Sequence, residues 1–109
     1  MIVAYVQFPV GDTSAEEMRQ LFEGSAPKYT AMTGLIRKYY LLSEDGTTAG
    51  GVYLWETKEA AEAIFNDEWH AFIKERYSAD PIITYYETPV IVDNLTHEIL
   101  TTNTIDKVA

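Results

Sequence analysis

Two side chains in this 109-residue sequence have an ordinary pKa near neutrality, His70 and His97, and there is no cysteine beside them. The dipeptide Asn66-Asp67 offers two good capping residues, so a helix restarting near Asp67 carries His70 in its first turn. There the positive end of the helix dipole favours the neutral imidazole, which can accept a proton. The same position also reads as a surface histidine lying beside Trp69, and His97, in the C-terminal tail, reads as solvated.

Arg37 is the second catalytic candidate. A guanidinium is costly to bury unpaired, so it reaches solvent at a sheet edge, pairs with an acid such as Glu87, or binds an anionic oxygen. Lys38 points to the opposite face of the same strand, so the two bases do not serve one pocket. Tyr39, Tyr40, Tyr85 and Tyr86 divide between faces in the same way, and one pair would supply phenolic donors. Side chains able to wall a substrate cavity are Tyr5, Phe22, Tyr53, Trp55, Phe65, Trp69, Phe72 and Tyr85. At helical or strand spacing, the same aromatic residues are core by default.

Other chemistries lack their motifs: there is no Gly-rich phosphate loop, no His-x-x-x-His or carboxylate cluster at metal spacing, and no Gly-x-Ser-x-Gly elbow. Glu16-Glu17, Glu59 and Glu62 are helix-start or solvent-face acids. Seventeen acids against eight bases give a formal charge of −9, which repels nucleic acid and anionic lipid, and the bases form no patch. No apolar run approaches the roughly 20 residues that span a bilayer. The start, MIVAYVQFPV, reads as a strand rather than a secretory signal, and the absence of cysteine fits a reducing cytoplasm.

The elements that must position these residues follow from pattern. IVAYVQF, residues 2 to 8, is β-branched and aromatic and ends in turn residues, which predicts a first strand. A capping box at Thr13 or Ser14 starts a helix near Ser14, with Met18, Leu21 and Phe22 at helical spacing and a kink or break expected at Pro27. Residues 35 to 42 and 48 to 55 form a hairpin about Asp45-Gly46. Gly50-Gly51, at the start of the returning strand, signals either a close approach of neighbouring structure or a β-bulge. Thr57 caps a second helix whose buried stripe is Ala61, Ile64, Phe65, Trp69, Phe72 and Ile73. A last strand runs from Ile82 to Val92 and carries Pro89.

This β-α-β-β-α-β order predicts an α+β, ferredoxin-like domain over residues 1–93, an antiparallel sheet in spatial order 4-1-3-2 with helices on one face. Strand residues are large on both sides, so the second face must also be covered, and a symmetric homodimer packed sheet to sheet would do this. Residues 94–109 have no strong period and are expected to be an extension that wraps the partner.

Three stretches carry a family likeness: Gly34-Leu-Ile-Arg-Lys-Tyr-Tyr, then Ala49-Gly-Gly-Val-Tyr-Leu-Trp-Glu, then Tyr85-Tyr-Glu-Thr-Pro-Val. Together they resemble the YdhR-like monooxygenases over residues 1 to 93. The resemblance implies a dimeric α/β barrel related to the antibiotic-biosynthesis monooxygenases, which oxidise phenolic or quinol substrates with neither metal nor flavin. The chain departs from relatives that place further apolar aromatics in the second strand, having Arg37 and two tyrosines there. Oxygenation without a cofactor requires an apolar pocket, a group that helps deprotonate the substrate, and donors that hold the anion near O2.

The expectation is therefore a cytoplasmic homodimer that oxygenates a small aromatic, quinol or polyketide-like compound, with no cofactor and no resident metal. Gln7, Trp55 and His70 are also similar to the Asn/Trp/His arrangement of haem-degrading monooxygenases on this fold. A cyclase or isomerase of the same fold, or a non-catalytic stress-response dimer that binds small molecules, are the further alternatives.

Overall fold

A computed structural model describes residues 1–101 of the chain. Strand β1 (Ile2–Pro9) leads to helix α1 (Ala15–Tyr29), the hairpin of β2 (Leu35–Leu42) and β3 (Thr48–Trp55), helices α2 (Lys58–Ile64) and α3 (Asp67–Tyr77), and strand β4 (Ile82–Glu87). A second hairpin, β5 (Val90–Asp93) and β6 (Glu98–Thr101), follows. The four main strands pair antiparallel in the order β2-β3-β1-β4, the order expected from the sequence, which is the expected order 4-1-3-2 read from the other edge.

Local chemistry starts and stops each element. The Ser14 hydroxyl accepts the Glu17 amide at 3.1 Å and donates to the Glu17 carboxylate at 3.1 Å, closing the first turn of α1. Contrary to expectation, α1 continues through Pro27 to Tyr29. Pro27 lies in the last turn, and both it and Glu23 are exposed, so water can take the one carbonyl that Pro27 leaves unpaired. The hairpin turn rests on Gly46 at φ 73° and on the Asp45 carboxylate, which accepts the Thr47 hydroxyl at 2.7 Å and the Ser43 hydroxyl at 2.8 Å. Asn66 accepts the Trp69 amide at 3.0 Å and restarts the helix at Asp67, as its sequence signal indicated.

The glycine pair is a place of close approach, and the β1–β3 ladder runs past it with unbroken register. A Cβ on Gly50 would run into the Val6 carbonyl. One on Gly51 would stand 3.0 Å from the Tyr39 carbonyl and 3.1 Å from the Tyr53 ring. The irregularity in register falls instead between Leu35 and Arg37.

One face of the sheet packs under the helices. Ala4, Val6, Phe8, Ala49, Tyr53 and Trp55 meet Met18, Ala61, Phe65 and Ile73 in a continuous core. Phe72, expected in the buried stripe of α3, is instead 62% exposed. The opposite face carries Tyr39, Val52, Tyr5 and Thr84 as neighbours along one cross-strand row. Tyr39, Ile82 and Tyr86 are exposed on that face, as are Val90, Val92, Leu95 and Ile99 in the second hairpin.

The expected long last strand ends at Glu87, because Thr88-Pro89 interrupts it and Pro89 has no amide to continue a ladder. Residues 90–93 pair instead with 98–101. Asp93 accepts the Leu95 and Thr96 amides at 2.9 and 3.2 Å and receives Arg37 at 3.1 Å, tying the hairpin to β2. Residues 102–109 of the expected extension lie outside the described residues. Among the described residues, no helix is long and apolar enough to cross a membrane.

Candidate functional site

Between α1, α3 and the helix-facing side of the sheet lies a cavity of about 330 Å³, within the range of small-molecule sites. Its aromatic wall includes Phe22 and Tyr29 from α1, Tyr40 from β2, Tyr53 from β3 and Trp69 from α3. These rings hold one another. Phe22 and Tyr40 are tilted at 4.8 Å between centroids, and Tyr29 stands edge-on to Tyr53 at 6.0 Å. Behind Tyr53, Phe65 packs edge-on at 5.0 Å and contacts Trp69 at 4.7 Å. Exposed Leu21 and Phe72 also line the cavity, on its solvent side.

Hydroxyls and basic groups interrupt this wall. The Tyr40 and Ser25 hydroxyls are 2.7 Å apart, and burial raises the Tyr40 phenol pKa above its ordinary value. Burial, with Tyr29 and Tyr40 close by, holds the Tyr53 phenol protonated far above the usual tyrosine range.

The one basic side chain contributed by the sheet is Lys38. Its Nζ lies 3.5 Å from the centroid of Tyr29, 3.8 Å from that of Tyr40 and 4.5 Å from that of Tyr53. Loss of hydration on burial, with Lys28 nearby, lowers its pKa to about 7. The three ring faces compensate part of the lost hydration of the ammonium, so both protonation states are accessible near neutrality.

Of the residues singled out from sequence, Tyr53, Trp69 and Phe72 line this cavity together with Phe22. Trp55 and Phe65 form the layer behind Tyr53. The Trp55 ring is fully buried and its Nε1 has no hydrogen-bond partner among the described residues. Tyr85 packs against the core on the helix side of β4, with Lys58 Nζ 5.1 Å from its ring. Tyr5 lies on the open face of the sheet, opposite Val52 and Thr84.

His70 is half-buried at the end of the first turn of α3, edge-on to Trp69 at 5.2 Å, and does not line the cavity. Arg37 lies on the open face, bonded to Asp93 and, at 3.3 Å, to the Tyr39 hydroxyl. The acid that pairs with it is thus Asp93 rather than Glu87, because the second hairpin brings Asp93 to β2. These two bonds raise the Arg37 pKa further. Gln7 and Trp55 occupy opposite faces of the sheet, so the Gln7, Trp55, His70 set does not converge on one haem.

The sequence pattern points to Arg37 rather than Lys38 as the anion-binding base. A signal was present nonetheless: strict alternation puts Lys38 on the same face as Tyr40 and Leu42, which is the face that the helices cover.

An antiparallel ferredoxin-like sheet with helices on one face is the fold of the antibiotic-biosynthesis monooxygenases. Residues 3–86 match the family model described as "Putative mono-oxygenase ydhR", and the chain belongs to that family.

Solved structures agree on the fold. The monooxygenase of the ActVA-Orf6 gene of Streptomyces coelicolor, solved with nanaomycin D, is 25% identical, with a TM-score of 0.60 over 80% of this chain and 86% of that one. A protein of Deinococcus radiodurans described as a "putative antibiotic biosynthesis monooxygenase" is 14% identical, with a TM-score of 0.66 over 85% of this chain and 97% of its own. SnoaB, a cofactor-independent oxygenase of Streptomyces nogalater, is 13% identical, with a TM-score of 0.56 over 80% and 92% of the two chains. No curated protein matches.

Proposed function

We propose that this protein is a cofactor-independent monooxygenase of a small phenol, quinol or polyketide-like aromatic, working as a cytoplasmic homodimer. The observation that carries the reading is the cavity: about 330 Å³ enclosed largely by aromatic faces, in a member of a mono-oxygenase family. Flat rings in the wall suit a flat ring in the middle, and the apolar lining keeps water from an electron-rich intermediate. The substrate supplies the electrons. A phenol and O2 give a quinone and water, with one oxygen atom entering the ring and the other leaving with two hydrogens taken from the substrate.

The exposed apolar residues support the dimer. Tyr39, Ile82 and Tyr86 on the open face, with the valines of β5, form the kind of surface that a second sheet would cover. His70, behind Trp69, and Arg37, on the open face, enter this reading as the residues to be tested for catalytic roles.

Oxygen uptake with a panel of phenols and hydroquinones tests the proposal. Uptake by wild type is expected, together with a fall in His70→Ala if this histidine takes part in proton transfer. No uptake by wild type with any member of the panel would remove the oxygenase reading. Equal uptake by both proteins would remove His70 from it.

A further inference from the structure

The charge of the cavity is opposite to that of the molecule. The chain has seventeen acids and eight bases. Yet three of those bases, Lys28, Lys38 and Arg76, line the cavity, and no aspartate or glutamate does so among the described residues. A site built this way attracts an anion, or an acid that becomes one on entry. Lys38 is the base set among the rings. No carboxylate lies within ion-pair distance of it among the described residues, and three tyrosine faces surround its nitrogen.

We propose that Lys38 is the proton acceptor of this site and that the cavity takes an acidic phenol or enol, which it holds as the anion against the Lys38 ammonium. The proposal rests on the monooxygenase reading and names the group that this reading otherwise lacks. The groups facing Lys38 are Lys28 and Tyr29 from α1, Tyr40 on its own strand and Tyr53 from β3, while Arg76 and Tyr77 line the same cavity from α3. Burial holds the Tyr40 and Tyr53 phenols in the neutral form. The remaining charges are positive, so an uncharged Lys38 is favoured until an anion arrives.

Proton and electron balance closes. The neutral amine removes the substrate O–H proton, and the electron pair of that bond stays on the oxygen. The electron-rich ring carbon then forms a C–O bond with O2. Lys38 returns its proton to the distal oxygen, the O–O bond breaks, and that oxygen leaves as water with the hydrogen lost from the same ring carbon. Carbonyl formation at that carbon completes the quinone.

The test uses 4-nitrophenol, whose phenolate is yellow and whose neutral form is not, so it requires no turnover. Bound to the wild-type protein under mildly acidic conditions, it should ionise at least about tenfold more readily than in solution. In Lys38→Met, with its fold checked by circular dichroism, the shift should vanish. NMR of ¹³C-labelled lysines in the wild type supplies a second readout that does not depend on the variant folding. One lysine should titrate near neutrality, and its midpoint should rise when 4-nitrophenol binds. Failure of the wild type to bind 4-nitrophenol, an unshifted bound ligand, a shift that persists in Lys38→Met, or the absence of such a lysine would each overturn the proposal. A protein that shifts 4-nitrophenol yet takes up no oxygen would keep Lys38 as the anion partner and lose the oxygenase reading, so the two failures are distinguishable.

Discussion

At the residue scale, the glycine pair and Lys38 show how neighbours in space set the demands on a side chain. Gly50 is required because the Val6 carbonyl occupies the space of a Cβ in the middle of two central strands. The crowding atoms are all backbone of β1, with no flexible side chain to move aside, so Gly50→Ala should cost about 3 kcal/mol, the upper part of the range for overpacking. Urea unfolding measures this, and a change within about 0.5 kcal/mol, usual for a surface site, would show that the strands separate easily there. In the sequence the two glycines fit a β-bulge as well as a close approach; the unbroken register decides for the approach and shows which backbone crowds them. Lys38 was hidden for a related reason. Alternation reveals its face, but only the tertiary structure brings Tyr29 and Tyr53 to within 4.5 Å of its nitrogen.

At the scale of elements, capping residues carried most of the reading. Ser14, Thr57 and Asn66 each accept a backbone amide at the helix start that their residue type indicates. Pro27 does not break α1, because it stands in the last turn. The second hairpin was illegible in a chain segment without strong period, and a single carboxylate organises its turn. The Thr96 amide, the Arg37 guanidinium and the Leu95 amide all stabilise ionised Asp93 and hold its pKa below the usual aspartate value. A depressed carboxyl contributes stability that is present above its unfolded pKa and is lost as pH falls through its folded pKa. The Leu95 and Thr96 amide resonances should therefore titrate together in acid with a midpoint below 3.8, the ordinary value. Asp93→Asn should abolish that titration and free the hairpin from β2. A midpoint at or above the ordinary value would mean that these contacts do not form in solution.

At the scale of the whole molecule, the open sheet face decides whether a single chain is complete. Val52 sits between Tyr39 and Tyr5 in the middle of that face, so a glutamate there would bury a charge in the proposed dimer and meet mostly water in a monomer. Light scattering is expected to give twice the chain mass for wild type and one chain mass for Val52→Glu, with helix content unchanged. A wild-type monomer would remove the sheet-to-sheet association. Periodicity, caps and turn residues act over a few positions, and for that reason the sequence by itself determined the four strands of the main sheet, the helix starts, their order and the family. The cavity, the tyrosine cage of Lys38 and the Arg37–Asp93 bond join residues that are far apart in the chain. Their distances depend on how the layers pack, and only the tertiary structure decided them.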